Sequence, residues 1–238
     1  MTKHIELLKN YSAKRILDVG TGRGEFLKVI EEGFSEYNEL VGIDIKDTGF
    51  ELAREGLKNS EKVQLLVMNS DEMTFEDNSF DAVCISNSLH HLPVDTNTLN
   101  EMKRVLKPDG LLIINEMYCD NQTKEQMGHV TIHHYMGMID TLTGIVHRTT
   151  YKKNDIIKLA ENNGLEILAT EEKIDDRKEF KVKEELNMLT AAVDRSLERI
   201  KERPEYRTMR LVAKDVKEKL LKDGIQGATQ LLLVCKLV

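Results

Sequence analysis

Asp18, Gly20, Gly22 and Gly24 occupy alternate positions at the close of an apolar run that opens with Arg15-Ile16-Leu17. Glycines at such a strand end let a ligand come close to the backbone and accept turns that other residues resist. A helix beginning near Glu25 would then aim its N-terminal N–H groups and the positive end of its dipole at that ligand. The two-residue glycine spacing differs from the GxGxxG of dinucleotide sites. Taken alone, the loop fits any nucleotide-like cofactor.

Histidines form the second reactive group. His90 and His91 follow an apolar run ending near Ser86, and His129, His133, His134 and His147 crowd residues 121–150. If Lys124–Gly137 is helical, His129 and His133 are four residues apart and share a face. With Asp140 or Glu116 nearby, that pair could chelate a divalent metal. A histidine near its free pKa also suits a general base at neutral pH. Imidazoles hydrogen-bonded inside a half-buried segment are the third role. All three stay open; His91 and His133 are the candidate catalytic residues, and no metal site is assigned.

These residues need elements to hold them. Short β-rich runs alternate with helical segments, the pattern of a parallel sheet covered on both faces. Strands are expected at Arg15–Val19, Leu40–Ile45, Val63–Met68, Phe80–Ser86, Leu111–Glu116, Leu165–Thr170 and Thr229–Val238. Helices are expected at Lys3–Tyr11, Glu25–Glu32, Gly49–Lys58, Asp95–Leu106 and Lys153–Asn163, with Lys107-Pro108-Asp109-Gly110 turning the chain into the fifth strand. Val182, Leu186, Leu189, Val193, Leu197 and Ile200 recur at three- and four-residue steps, and Met209, Val212, Val216 and Leu220 continue beyond Pro204. The region 173–227 therefore reads as a helical hairpin inserted between the last two strands. It could pack on the core, cover a site as a lid, or serve as an arm for homodimerisation.

The order of motifs along the chain resembles the class I S-adenosylmethionine-dependent methyltransferases. Asp18-x-Gly20-x-Gly22-x-Gly24 is similar to their first motif, Val41-Gly-Ile-Asp44 puts an acid at the end of the second strand, and Met68-Asn-Ser-Asp-Glu-Met73 follows the third. Phe75-Glu-Asp-Asn-Ser-Phe-Asp-Ala-Val83, then Ser86-Asn-Ser-Leu-His-His-Leu92, then Glu101-Met-Lys-Arg-Val-Leu-Lys-Pro-Asp-Gly-Leu111 resemble the small-molecule, ubiquinone/menaquinone-type ("type 11") subgroup, with Asp109 in place of a usual glycine. The resemblance covers about Ile16 to Glu116.

It implies a Rossmann-like α/β fold with seven mostly parallel strands, the last inserted antiparallel between the fifth and sixth. It implies S-adenosylmethionine as cofactor, with S-adenosylhomocysteine as product. The cofactor residues would be Asp18, Gly20, Gly22, Gly24, Asp44, Ile45, Ser70, Asp71, Met73 and Asn87. Asp44 would accept from the ribose hydroxyls and Asp71 from the adenine amino group, beside Met73, while Asn87 would lie at the methionine end. His91 would stand beside the transfer site.

Composition narrows the rest. The 238 residues, 40% hydrophobic and 32% charged, suit one domain over 1–238, with 121–150 as a lid-like segment. A formal charge of −7 disfavours a nucleic-acid partner, because phosphate contacts demand basic surface. No apolar run reaches the roughly 18–20 residues of a membrane span, and the start lacks a secretory signal's apolar stretch. Cys84, Cys119 and Cys235 read as reduced thiols of a cytoplasmic protein. The expected reaction is in-line methyl transfer to a small, partly apolar acceptor, for which Met127, Tyr135, Met136, Met138 and Ile139 provide adaptable surface. An NAD-dependent oxidoreductase and a non-catalytic methyltransferase-like binding protein are the alternatives.

Overall fold

The computed structural model of the protein describes residues 3–34, 36–58 and 60–238. The chain divides into two compact units. Unit 1 comprises Met1–Glu116, Asn154–Lys173 and Gln230–Val238, and unit 2 comprises Met117–Lys153 and Ile174–Thr229.

Unit 1 is built on the strands β1 (Arg15–Val19), β2 (Glu39–Asp44), β3 (Val63–Val67), β4 (Phe80–Ser86), β5 (Leu106–Met117), β6 (Leu165–Lys173) and β7 (Gln230–Leu237). They form one sheet in the order β3-β2-β1-β4-β5-β7-β6. Strands β1 to β5 run parallel, and β7 pairs antiparallel with β6. The last strand in the chain therefore lies between the fifth and sixth, as expected. Strand order reverses between the adjacent β1 and β4. Carboxyl ends on either side of such a reversal leave a crevice where ligands of open α/β sheets bind.

The helices of this unit are α1 (Lys3–Leu8), α2 (Glu25–Gly33), α3 (Phe50–Glu55), α4 (Thr98–Val105) and most of α6 (Lys153–Asn162). Ile16, Ala82, Cys84, Ile113, Leu232 and Val234 cluster with Leu8, Leu27, Ile30 and Phe34 of the helical layer and its borders. The alternate residues Leu17, Val83, Leu112 and Ile114 are fully buried too. Burial of both faces is why these strands read as continuous apolar runs.

Several boundaries differ from expectation, among them the ends of α1, α3 and β6 and the starts of β5 and α4. Strand β5 begins at Leu106, so Lys107–Gly110 lies within it: Phe80 pairs with Leu106 and Ala82 with Leu111, a bulge that absorbs the extra residues. Asp81 fastens this irregularity. Its Oδ1 accepts from Lys107 Nζ at 2.6 Å, and its Oδ2 accepts from the Arg15 and Lys14 amides at 2.8 and 3.2 Å. Helix α4 begins at Thr98 rather than Asp95, because Thr96 and Thr98 turn back toward Asp71.

Unit 2 holds α5 (Lys124–Leu142), α7 (Lys183–Glu198) and α8 (Tyr206–Asp223). In chain order α7 and α8 stand between β6 and β7. Thr123 and Gln126 form a reciprocal capping box that fixes the start of α5. Ile132, Tyr135 and Ile139 of α5 pack with Leu186, Val193 and Leu197 of α7 and Met209, Ala213, Val216 and Leu220 of α8. The apolar stripes read from the sequence are thus the seams of a three-helix core. No described helix is long and apolar enough to cross a membrane.

Candidate functional site

The parallel strands β1 to β4 bring the cofactor candidates, all in unit 1, to one edge of the sheet. At the end of β1, Gly20, Gly22 and Gly24 have φ of +72°, +50° and +74°. The Gly20 and Thr21 amides both donate to Ile43 O at 2.9 Å, tying the loop over the end of β2. Gly24 is glycine for packing as well as turn geometry, since a Cβ there would stand 2.7 Å from Ala53 Cβ. A Cβ on Gly22 would meet nothing within 4 Å. Packing leaves that position open, and a ligand can use the room.

Asp18 is 1% exposed. Its Oδ2 accepts from Thr21 Oγ1 at 2.6 Å, whereas its Oδ1 is buried without a hydrogen-bond partner. Burial pushes its carboxyl up to about 7, and the charge of Asp44 adds to this against the opposing bond from Thr21. Asp44 accepts from the Gly22 amide at 3.0 Å through Oδ2 and from the Lys46 amide at 3.2 Å through Oδ1. Ile45 beside it is 63% exposed, an apolar surface at the strand end.

The segment after β3 has no regular structure and is pinned from α4. Asp71 Oδ1 accepts from Thr96 Oγ1 at 2.5 Å and Thr98 Oγ1 at 2.6 Å, and Ser70 Oγ lies 2.8 Å from Thr98 Oγ1. Burial opposes the charge on Asp71, but these bonds outweigh it and hold the carboxyl below its usual value. The Met73 amide donates to Glu101 Oε2 at 2.8 Å. Arg104 donates to the carbonyls of Met73 and Phe75 as well as to Glu101 and Asp77. Sequence reasoning missed this pinning; the Glu101/Arg104 spacing on one helix face was its only local signal.

Asn87, at φ +46°, donates its amide to Asn115 O at 2.8 Å after β4. Ser88 Oγ lies against Gly20 O at 3.3 Å, which joins the β4 turn to the glycine loop across the strand-order reversal. Glu116 is fully buried at the end of β5. Its carboxylate accepts from the Leu89 amide at 3.1 Å and lies 2.9 Å from His90 Nδ1. His90 is therefore held inside, and His91 is the exposed member of the pair, with ring centroids 4.3 Å apart. The sequence had placed Glu116 near other histidines. A separate cleft of about 410 Å³, lined by Ser12, Asn78, Asp81 and Lys107–Leu111, opens at the starts of β4 and β5, the opposite edge from the glycine loop.

In unit 2 the histidines of α5 part company. His129 Nδ1 accepts from the Ala228 amide at 2.9 Å, and His134 Nε2 accepts from the Thr150 amide at 3.1 Å. His133 instead faces His147, Nε2 to Nε2 at 3.1 Å. His147 donates from Nδ1 to Asp140 Oδ2 at 2.7 Å, and Arg199 Nη1 donates to Asp140 Oδ1 at 2.6 Å. Burial works against the Asp140 charge, yet the bonds from His147 and Arg199 prevail and keep its carboxyl below the usual range.

Residues 17–114 match the family model of a methyltransferase domain. The matched segment, less than half of the chain, is similar to that family. Demethylmenaquinone methyltransferase of Staphylococcus aureus (strain MRSA252) is 35% identical to the chain over 102 residues, 43% of this chain and 42% of that protein. The match thus spans less than half of the curated relative. A SAM-dependent methyltransferase from Thiobacillus denitrificans, solved with S-adenosyl-L-homocysteine, superposes with a TM-score of 0.58 at 14% identity, covering 99% of this chain and 91% of that one. The [4+2]-cyclase SpnF superposes with a TM-score of 0.58 at 18% identity, covering 98% and 78%. Such structural likeness establishes the fold. The matched segment contains every cofactor candidate, Asp18 through Asn87, and His91 as well.

Proposed function

We propose that the methyltransferase domain binds S-adenosylmethionine at the glycine loop and that the protein transfers its methyl group to a small, partly apolar acceptor. The observation that carries this reading is Asp18, with a buried oxygen lacking any partner, beside the open ground at Gly22. A buried acceptor without a partner is costly unless a ligand supplies a donor. The family match, the complexed neighbour from Thiobacillus denitrificans and the quinone-type relative all support the reading.

The residues present fit the cofactor. Asp44 spends one lone pair on each of two amides and retains others for the ribose hydroxyls. Ile45 offers exposed apolar surface for the adenine ring, whereas Met73 is buried and backs the segment. Asp71 Oδ1 is engaged by two threonines, and the Asn97 and Thr98 amides also support the carboxylate, so an amino group would share an acceptor that is already oriented. Asp18 and Asn87 serve the methionine end. When bound, the cofactor supplies a sulfonium methyl that is already electrophilic. The chain then has to align the acceptor in line with it and exclude water, an effect worth up to roughly 7–11 kcal/mol. His91, exposed beside the turn after β4, is the base if the acceptor loses a proton. His133 suits that role less, because its Nε2 already faces another nitrogen.

The charge of −7 and the demethylmenaquinone-type relative favour a small molecule over nucleic acid. Three cysteines without disulfides suit the cytoplasm. The helical region 173–227 is the proposed arm of a homodimer; a monomer mass by sedimentation overturns that part alone.

Calorimetric titration tests the whole reading. S-adenosylmethionine and S-adenosylhomocysteine should bind and NAD(H) should not; the reverse favours an oxidoreductase. Labelled cofactor and a fractionated extract should then yield a labelled small molecule. Binding without any labelled product would mark a protein that uses the fold otherwise.

A further inference from the structure

The pairing of His133 with His147 in unit 2 is not used by the proposed reaction. The two Nε2 atoms stand 3.1 Å apart, and the ring centroids are 4.7 Å apart with the planes at 66°. An N–H···N bond pointing head-on at this separation would hold the centroids about 5.4 Å apart. The shorter distance means that the ring axes bend away from the line joining the nitrogens. Bent to the same side, they meet about 2.2 Å from each nitrogen, close to the length of a zinc–imidazole bond. Two imidazoles on one ion at tetrahedral to octahedral angles place their nitrogens about 3.0–3.4 Å apart, which brackets the observed spacing.

The surroundings suit ligation. Asp140 accepts the Nδ1–H hydrogen bond of His147, which makes Nε2 the nitrogen that can ligate. Metal-bound histidines characteristically give their other N–H to a carboxylate or carbonyl in this way. Arg199 clamps the far oxygen of Asp140 and also donates to Thr143 Oγ1 at 2.9 Å, so the carboxylate is fixed from both sides. His147 is only 8% exposed, and its ring lies against Gly137, where a Cβ would approach Cδ2 to 3.1 Å. A larger residue at 137 would therefore push the ring aside. His133 is half-buried, within reach of an ion from solvent.

We infer that His133 and His147 are two ligands of a divalent transition-metal site, with Asp140 as the positioning residue of His147. Borderline nitrogen ligands suit Zn²⁺, Ni²⁺, Co²⁺ or Cu²⁺ rather than Ca²⁺ or Mg²⁺.

The full chain, stripped with chelator and dialysed, is titrated with Zn²⁺ by calorimetry and with Co²⁺ by visible absorption. One equivalent should bind, with nitrogen-ligand bands in the Co²⁺ spectrum. His147→Ala and His133→Ala should each weaken Zn²⁺ at least about 30-fold, and Asp140→Asn about 10- to 100-fold. His134→Ala, whose ring is bonded to Thr150, should leave Zn²⁺ affinity within about twofold. Circular dichroism of each metal-free variant separates ligand loss from unfolding, and Gly137→Ala, which keeps both imidazoles but crowds one, should weaken the metal without removing a ligand. If wild type and His133→Ala bind Zn²⁺ alike, or if His134→Ala alone removes it, the pair is an ordinary N–H···N contact and the inference falls.

Discussion

Asp18 of unit 1 and Asp140 of unit 2 are both shielded carboxylates bonded to a neighbour, yet they are set up in opposite ways. Asp140 receives a proton-bearing imidazole on one oxygen and a guanidinium on the other, and its carboxyl is drawn down. Asp18 receives one hydroxyl, keeps a buried oxygen without a partner, and its carboxyl is driven up to about 7. The first is complete within its unit and can orient something else. The second is incomplete, and in the proposed reading a bound ligand supplies the missing donor. In the two proposals made above, the frustrated carboxylate is the one that binds and the satisfied one is the one that positions.

The sharpest way to break this contrast is to fill the ground beside Asp18. Gly22→Val adds a side chain where packing offers no obstacle, but at a positive φ that costs about 1–2 kcal/mol of stability. S-adenosylhomocysteine affinity should fall more than about 100-fold by calorimetry, the value expected when bulk blocks a close backbone approach. Loss of only a few-fold would mean that the ligand does not approach there.

Removing the frustration itself comes next. The native Asp18 carboxyl titrates near 7 and the unfolded one near 3.8. Between those values the native state holds the extra proton, so stability declines as pH rises from about 4 to about 7 and stays lowered above that. Asp18→Asn should therefore raise the ligand-free stability at pH 8, on the order of 1–3 kcal/mol by denaturant melts, while weakening cofactor binding. The wild-type affinity should rise about tenfold from pH 6 to pH 8 as Asp18 ionises to meet the cationic ligand. A flat profile that Asp18→Asn leaves unaltered would detach this residue from the site.

Asp44→Ala should cost at least about tenfold in S-adenosylhomocysteine affinity, through loss of ribose contacts and release of the Gly22 amide. The smallest effect belongs to the satisfied carboxylate. Arg199 is 38% exposed, so Arg199→Ala should cost no more than about 1 kcal/mol in thermal melts. A loss several times larger would show that Asp140 depends on one partner rather than two.

Much of unit 1 was legible because its signals are local. Strands β1 and β4 were read to the residue, since a strand buried on both faces is an apolar run bounded by turn residues. The start of β5 was misread because Pro108 and Gly110 usually end pairing, whereas the Asp81–Lys107 contact carries them through as a bulge. Within the site, the glycine loop and Asp44 were visible from spacing. The engagement of Asp71 by Thr96 and Thr98 was not, because those residues lie beyond β4, and only the fold returns them. Helical spacing paired His129 with His133 correctly as neighbours, at 6.3 Å between rings, but not as partners. The partner of His133 is His147, beyond the end of α5, and His129 is taken by the Ala228 amide.

The place of β7 sets a constraint on the order of events during synthesis. Strands β5 and β6 do not pair with each other; the gap between them is filled by Gln230–Leu237, which emerges after everything in residues 174–229 has been made. Until then the nascent sheet carries two open edges inside what will become its interior, and an open strand edge invites pairing with other chains. Closing such long-range contacts late makes folding slow and leaves the chain dependent on protection while it waits. A ribosome stalled just before residue 230 should accordingly hold a protease-sensitive β6, and one stalled well past residue 238 on an added linker should hold a resistant one.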